Sequence, residues 1–169
     1  MSSKGQLILN AKQTQQKIVR IAHEILEQNY NEECIVIAGI FDRGYLFAQL
    51  LEKELNSICA IPTELIKITL DKTAPLQTEI TLDKSLDLVE DRTVIITDDV
   101  LNTGKTVAYS LKPFLNRRIK KLQTAFIVDR GYKSFPISAD FVGYSLSTTL
   151  QEHVEVIFED QEVSGVYLH

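Results

Sequence analysis

The chain has 169 residues, 44% apolar and 24% charged, a balance that suits one globular domain over residues 1–169 and excludes collagenous, disordered and disulfide-stapled molecules. Its 18 Lys and Arg against 23 Asp and Glu leave a formal charge of −5, which argues against phosphate-backbone binding as the main role, since such proteins usually carry a basic excess. No apolar run nears the roughly 20 residues that cross a bilayer, residues 1–10 hold no secretory signal, and a cytoplasmic protein is expected.

The periodicity predicts a helix over residues 13–28, where Ile18, Val19, Ile21, Ala22, Ile25 and Leu26 recur at helical spacing. Residues 29–33 break the pattern, and Cys34-Ile-Val-Ile-Ala-Gly-Ile40 reads as a strand buried on both faces, as in a parallel sheet. Cys34 fits there as a small core hydrophobe, and neither it nor Cys59 has metal-ligand spacing. A loop at 41–44 leads to a second helix at 45–55, then a strand at 64–69. Residues 71–83 are polar, hold Pro75, and read as a long loop or flexible hairpin. A third buried strand, 93–97, ends in Asp98-Asp99; a helix at 107–115 and a fourth strand at 121–128 follow. Alternating helices and buried strands imply right-handed βαβ crossovers and an open α/β sheet of about five strands. Short strands at 141–144, 154–158 and 166–168 read as antiparallel pieces appended to that core.

Ligands gather at the carboxyl ends of strands in such a sheet. The richest of these ends is Ile95-Ile-Thr-Asp-Asp-Val-Leu-Asn-Thr-Gly-Lys-Thr106. Two carboxylates follow a buried strand, and a Thr-Gly-Lys-Thr turn opens a helix whose free amides can cradle an anion. Thr103 and Thr106 add hydroxyls, Gly104 permits close approach, and Lys105 adds charge. A sugar phosphate fits, with its hydroxyls on Asp98 and Asp99 and its phosphate on residues 102–106. No glycine lies five residues before Gly104, so this is not a Walker A loop. The bland alternative is a turn with a helix cap.

Residues 94–106 resemble the signature by which type I phosphoribosyltransferases bind phosphoribosyl pyrophosphate: an apolar strand, two acids, two apolar residues, a variable residue, then Thr-Gly and Lys-Thr. Ile21-Ala-His-Glu-Ile25, Gly39-Ile-x-x-Arg-Gly44, Ile68-Thr-Leu70, Val128-Asp-Arg-Gly131 and Pro136-Ile-x-Ala-Asp140 occur in an order similar to the pyrimidine-operon attenuator/uracil phosphoribosyltransferase family. The resemblance spans residues 13–159. It implies the type I phosphoribosyltransferase fold: an open, mostly parallel sheet flanked by helices, with a small C-terminal hood over the base.

The resemblance also implies roles. Asp98 and Asp99 would hold the ribose, and Asn102, Thr103, Gly104, Lys105 and Thr106 the 5-phosphate. The loop of Phe41, Asp42, Arg43 and Gly44 would take the pyrophosphate, although the family often carries a polar pair where this chain has Phe41-Asp42. Arg43 can offer a fork of donors to a diphosphate; it could equally be a surface ion pair. Residues 71–83 would form a lid, with Lys72 standing where an arginine is usual, so Asp98, Asp99 and Lys72 are the catalytic candidates. Lys72 could also be simply solvated. Val128, Asp129, Arg130 and Tyr132 would cup the base, through backbone groups of Val128 and Arg130 and stacking by Tyr132. Asp129 and Arg130 could instead tie the loop to its neighbours. Asn102 stands where purine enzymes typically hold an aspartate, and an amide cannot accept a proton in that way.

The expected activity is therefore transfer of 5-phosphoribose to a nucleobase, uracil first, with Mg²⁺ bound to the substrate and not directly by the protein. The alternatives are a nucleotide-sensing RNA-binding regulator of pyrimidine genes and a purine phosphoribosyltransferase. Lys17, Arg20, His23, Arg117, Arg118, Lys120 and Lys121 are the candidates for an RNA face, though such clusters are usually solvated helix ends. His153 and His169 are isolated in sequence. Relatives commonly assemble, so a homo-oligomer is expected.

Overall fold

The six consecutive residues Ile35–Ile40 form strand β2 and all are buried, because β2 lies at the middle of a sheet covered on both faces. The computed structural model describes residues 5–76 and 79–169. In chain order the elements of the first half are β1 (Gln6–Asn10), α1 (Ala11–Asn29), β2, α2 (Arg43–Ile58) and β3 (Thr63–Thr69). Next come β4 (Thr81–Leu82), a 3₁₀ turn (Leu86–Val89), β5 (Thr93–Leu101), α3 (Lys105–Ser110), α4 (Lys112–Leu115) and β6 (Lys121–Asp129). The chain ends with β7 (Phe141–Ser145), β8 (Val154–Glu159) and β9 (Glu162–Leu168). The main sheet runs β4-β3-β2-β5-β6-β7, parallel except for β4.

Strand alternation divides the core. Ile35 and Ile37 of β2, Ile95 of β5 and Ile127 of β6 face Ile18, Ile21 and Ile25 of α1 and Phe47 and Leu51 of α2. Val36, Ala38, Val94, Ile96 and Phe126 face the other way, against Val107 and Phe114 of α3 and α4. The second sheet, β1-β9-β8, is antiparallel and joins the α1/α2 layer through Leu9, Val156 and Val166.

Helix α1 starts two residues before the predicted 13 because Asn10 closes a capping box: its Oδ1 accepts from Gln13 N at 2.8 Å, and Gln13 Oε1 accepts from Asn10 N at 2.9 Å. The predicted helix over 107–115 is two pieces, broken before Pro113, which has no N–H to extend the helical ladder. The predicted antiparallel strand at 141–144 is a correction: β7 pairs parallel with β6, Phe141 opposite Ala125 and Tyr144 opposite Val128. Its crossover is pinned without a helix, since Asp140 Oδ2 accepts from Thr124 N at 2.8 Å and Ser138 O accepts from Thr124 Oγ1 at 2.7 Å. β1 was not predicted; its partner, β9, lies at the opposite end of the chain. Residues 71–83 do return as a hairpin, β4 on β3, with Lys67 N donating to Asp83 Oδ1 at 2.7 Å; residues 77 and 78 of that segment lie outside the described residues.

Candidate active site

The site is built at the carboxyl ends of β2, β3, β5 and β6. β5 does not stop at the acids as predicted. It runs through Asp98 and Asp99 to Leu101, all nine residues buried, because β6 pairs with it as far as Leu101 opposite Asp129. Asp98 and Asp99 therefore sit in a strand with 4% and 8% exposure. Burial first, and then the charge of Asp99, raise the Asp98 carboxyl to about 8. Lys72 Nζ, 3.3 and 3.4 Å from its two oxygens, opposes that shift without cancelling it. Lys72 is the cation set against Asp98. The loop that carries Lys72 is braced by Asp71, whose Oδ1 accepts from Thr73 N at 2.9 Å and from Thr73 Oγ1 at 2.7 Å.

After β2, the Phe41–Asp42 peptide is cis and Arg43-Gly44 opens α2. Gly44 is a packing requirement: a Cβ there would stand 2.7 Å from Thr97 O and 2.9 Å from Asp98 Cα. The approach is held by Thr97 Oγ1, which donates to Gly44 O at 2.8 Å. Arg43 bridges two acids. Its Nη1 lies 4.0 Å from Asp99 Oδ2, and its Nη2 donates to Glu155 Oε1 at 2.8 Å. The guanidinium holds the Glu155 carboxyl below the usual carboxylate range, and His169 Nε2 is 3.4 Å from the other Glu155 oxygen. Phe41 and Tyr45 flank the Lys67 ammonium, 5.7 and 5.6 Å from their ring centroids, so Phe41 serves as a cation's neighbour at the pocket rim.

Gly104 adopts φ +83° and begins α3, and Thr103 Oγ1 accepts from Lys105 N at 3.3 Å. The amides of Thr106 and Val107 precede the first intrahelical bond, Ala108 N to Gly104 O at 2.9 Å. Thr103 O accepts from Ser134 N and Phe135 N at 2.9 and 3.0 Å, fastening the loop to the crossover beneath β7. A hollow of about 80 Å³ is lined by Lys72, Asp98 and residues 99–107. It meets a second hollow of about 460 Å³ lined by residues 41–43, His153 and Val154; Lys72, Asp99, Val100 and Asn102 belong to both.

The candidate base residues are arranged less simply. Val128 is buried mid-ladder between Val100 and Tyr144. Asp129 Oδ1 accepts from Gly131 N at 2.8 Å, and Lys133 lies 3.5 Å from its other oxygen. Arg130 donates its backbone N–H to Leu101 O at 3.1 Å, and its buried guanidinium bonds Asn102 and the 148–152 loop. Tyr132, 36% exposed, has the Arg130 guanidinium carbon 5.8 Å from its ring centroid.

Glu155, His153 and His169 were missed as site residues. No local pattern marks them, because the hood strands bring them in from a part of the chain with no motif. Backbone bonds between His153 and His169, at 2.9 and 2.8 Å, fix that edge. The candidate RNA face is largely neutralised: Arg117 pairs with Asp87 and Glu90, Arg118 with Asp91, and Lys120 and Lys121 with Glu32. Arg20 is tied to Glu24 and to the carbonyls of Val142 and Gly143. Among the described residues no helix is long and apolar enough to cross a membrane.

The family model of the phosphoribosyl transferase domain matches residues 6–160. The Bifunctional protein PyrR of Staphylococcus aureus (strain bovine RF122 / ET3-1) is 38% identical over 164 residues, covering 92% of this chain and 93% of that protein. Among solved structures, a hypoxanthine-guanine phosphoribosyltransferase of Bacillus anthracis superposes with a TM-score of 0.73 at 18% identity, covering 97% of this chain and 98% of that one. The hypoxanthine phosphoribosyltransferase of Trypanosoma cruzi gives 0.75 at 17% identity, covering 98% of each chain; at these identities the likeness is one of fold. With the acid pair, the Thr-Gly-Lys-Thr turn and the family match on one chain, this protein belongs to the phosphoribosyltransferase family.

Proposed function

We propose that the protein transfers the 5-phosphoribosyl group of phosphoribosyl pyrophosphate to uracil, forming UMP and pyrophosphate. The observation that carries this reading is the junction of the two hollows, where buried carboxylates meet the phosphate loop at Asp99 and Asn102. Asp98 and Asp99 accept from ribose hydroxyls, and residues 102–106 hold the 5-phosphate. Arg43 and Lys72 face the diphosphate, and Lys72 must leave Asp98 to reach it. As the anomeric bond breaks, charge moves onto the departing pyrophosphate, where those two cations stabilise it once Lys72 has left Asp98 and Arg43 has left Glu155. A magnesium ion would be carried in by the diphosphate and the ribose hydroxyls that Asp98 and Asp99 hold, since Mg²⁺ favours substrate phosphates and water over an all-protein cage. When bound, that ion neutralises charge on the leaving group.

Uracil is favoured by the resemblance to pyrimidine-specific relatives and by Asn102 in place of a proton-accepting aspartate. A base-by-base assay with phosphoribosyl pyrophosphate and Mg²⁺ should give UMP from uracil and little product from hypoxanthine, guanine or adenine. Calorimetry that finds no binding of phosphoribosyl pyrophosphate with Mg²⁺ would refute the enzyme reading, and preferential use of a purine would refute the base.

Glu155 competes with the diphosphate for Arg43. Glu155→Gln should therefore tighten pyrophosphate about two- to fivefold, a modest gain because the pair is partly exposed and solvent-screened. Weaker binding in a titration of the variant would show that Glu155 orients Arg43 instead of occupying it.

A second reading, an RNA-binding regulator with weak catalysis, is favoured by Phe41-Asp42 in the pyrophosphate loop and by Lys72 in the lid. The internal pairing of the basic residues weighs against it. Filter binding to RNA across a salt series should find no tight complex near physiological ionic strength; tight binding with a steep salt slope would reverse the order of the two readings.

A further inference from the structure

We infer that Asn102 reads the base through its amide N–H₂ alone, as a hydrogen-bond donor to a ring carbonyl, and that Arg130 is the positioning residue that sets this polarity. The inference rests on the proposed reading of the pocket as a nucleotide site and deepens it. It begins with the guanidinium. Arg130 is 8% exposed, and its donors are spread over four acceptors. Nε donates to Thr148 Oγ1 at 2.8 Å, Nη1 to Asn102 Oδ1 at 2.9 Å, and Nη2 to Thr149 O and Glu152 O at 3.2 and 2.7 Å.

A guanidinium has donors and no acceptor, so the Asn102 atom facing it must be the amide oxygen. Turning the amide over would set N–H₂ against N–H. The hood carbonyls hold Arg130 from the other side, so the guanidinium cannot yield to accommodate a turned amide. Among the described residues the Asn102 nitrogen has no partner, and Asn102 lines both hollows at their junction. The group left for a ligand is thus donor-only. It complements an oxo group of the base and opposes a ring N–H or an amino group at the same point. An oxopyrimidine such as uracil, with two carbonyls, meets this polarity, as does any base that offers an oxo group or an unprotonated ring nitrogen at that point.

Asn102→Asp tests the inference with almost no change of shape. One carboxylate oxygen keeps the bond to Arg130, and the other replaces the donor by an acceptor. Binding of UMP and of ribose 5-phosphate is measured by calorimetry for the native protein and the variant. Both ligands share the sugar phosphate, so any effect of the added charge on the phosphate loop cancels in the ratio of their dissociation constants. The advantage of UMP over ribose 5-phosphate should fall about tenfold or more, as expected when a buried hydrogen bond becomes an acceptor–acceptor contact. Retained binding of ribose 5-phosphate reports that the variant is folded; should it not bind, Asn102→Ala, which adds no charge, must show the same direction of change. An unchanged ratio overturns the inference and leaves the proposed function standing. Failure of the native protein to bind either ligand overturns both.

Discussion

Asp98→Asn should stabilise the ligand-free protein at alkaline pH while abolishing phosphoribosyl transfer. The carboxyl is 4% exposed and pushed up to about 8, by burial first and the neighbouring Asp99 second. An unfolded aspartate ionises near 4. Below that value Asp98 is protonated whether the chain is folded or not, and has no effect on the pH dependence. As pH rises from about 4 to about 8, the unfolded chain has lost this proton and the folded chain has kept it, so stability falls throughout that window. Above it the full penalty remains, on the order of a few kcal/mol for a shift of this size. Asparagine fills the same space without a charge. The variant's thermal midpoint should therefore exceed that of the native protein by several degrees at pH 9, with the gap closing towards pH 4. Lys72 loses its partner in the variant, which reduces the gain but should not reverse it, because burial outweighs the ion pair. Turnover assayed above pH 8, where Asp98 is ionised, should fall about a hundredfold or more, since the carboxylate proposed to accept from the ribose becomes a neutral amide. A lower midpoint at pH 9 would show that the Lys72–Asp98 pair, not the burial penalty, governs this site; turnover within threefold of native would remove Asp98 from the machinery.

Gly44→Ala should be among the costliest single changes near the site. The added Cβ would meet Thr97 O at 2.7 Å and Asp98 Cα and Oδ1 at 2.9 Å. Two of those three atoms are backbone and cannot rotate aside. Either α2 lifts from β5 or the strand end carrying the acid pair shifts, at a cost of about 1–3 kcal/mol or more. Because the shift falls on Asp98, binding of phosphoribosyl pyrophosphate should weaken at least tenfold as well. Gly131→Ala is the contrast: nothing lies within 4 Å of its Cβ, and its φ of +66° imposes only conformational strain of about 1–2 kcal/mol. Denaturant titration with calorimetry on both variants separates the cases. Equal loss of binding in the two would remove the link between Gly44 and the acid pair.

What could be read in advance was whatever depends on neighbours in sequence. The runs at 35–40 and 94–96 hold no polar side chain, so buried parallel strands followed directly. The Asp-Asp and Thr-Gly-Lys-Thr elements lie within one short stretch, and their chemistry survives any detail of the fold around them. The parallel pairing of β7 escaped that reading because its crossover is irregular, held by Thr124 and Asp140 where a helix would have announced it.

From its sequence alone the protein is determined to be an open α/β protein with an acid pair and a Thr-Gly-Lys-Thr turn at the end of a central strand, because periodicity and short-range spacing encode these features, while the resemblance of its motifs pointed to the phosphoribosyltransferases. The tertiary structure decided that Arg43 faces Glu155, that Lys72 sits on Asp98, and that Arg130 turns the Asn102 amide. Each of these depends on a contact between residues more than two dozen positions apart, across strands whose pairing no local pattern records.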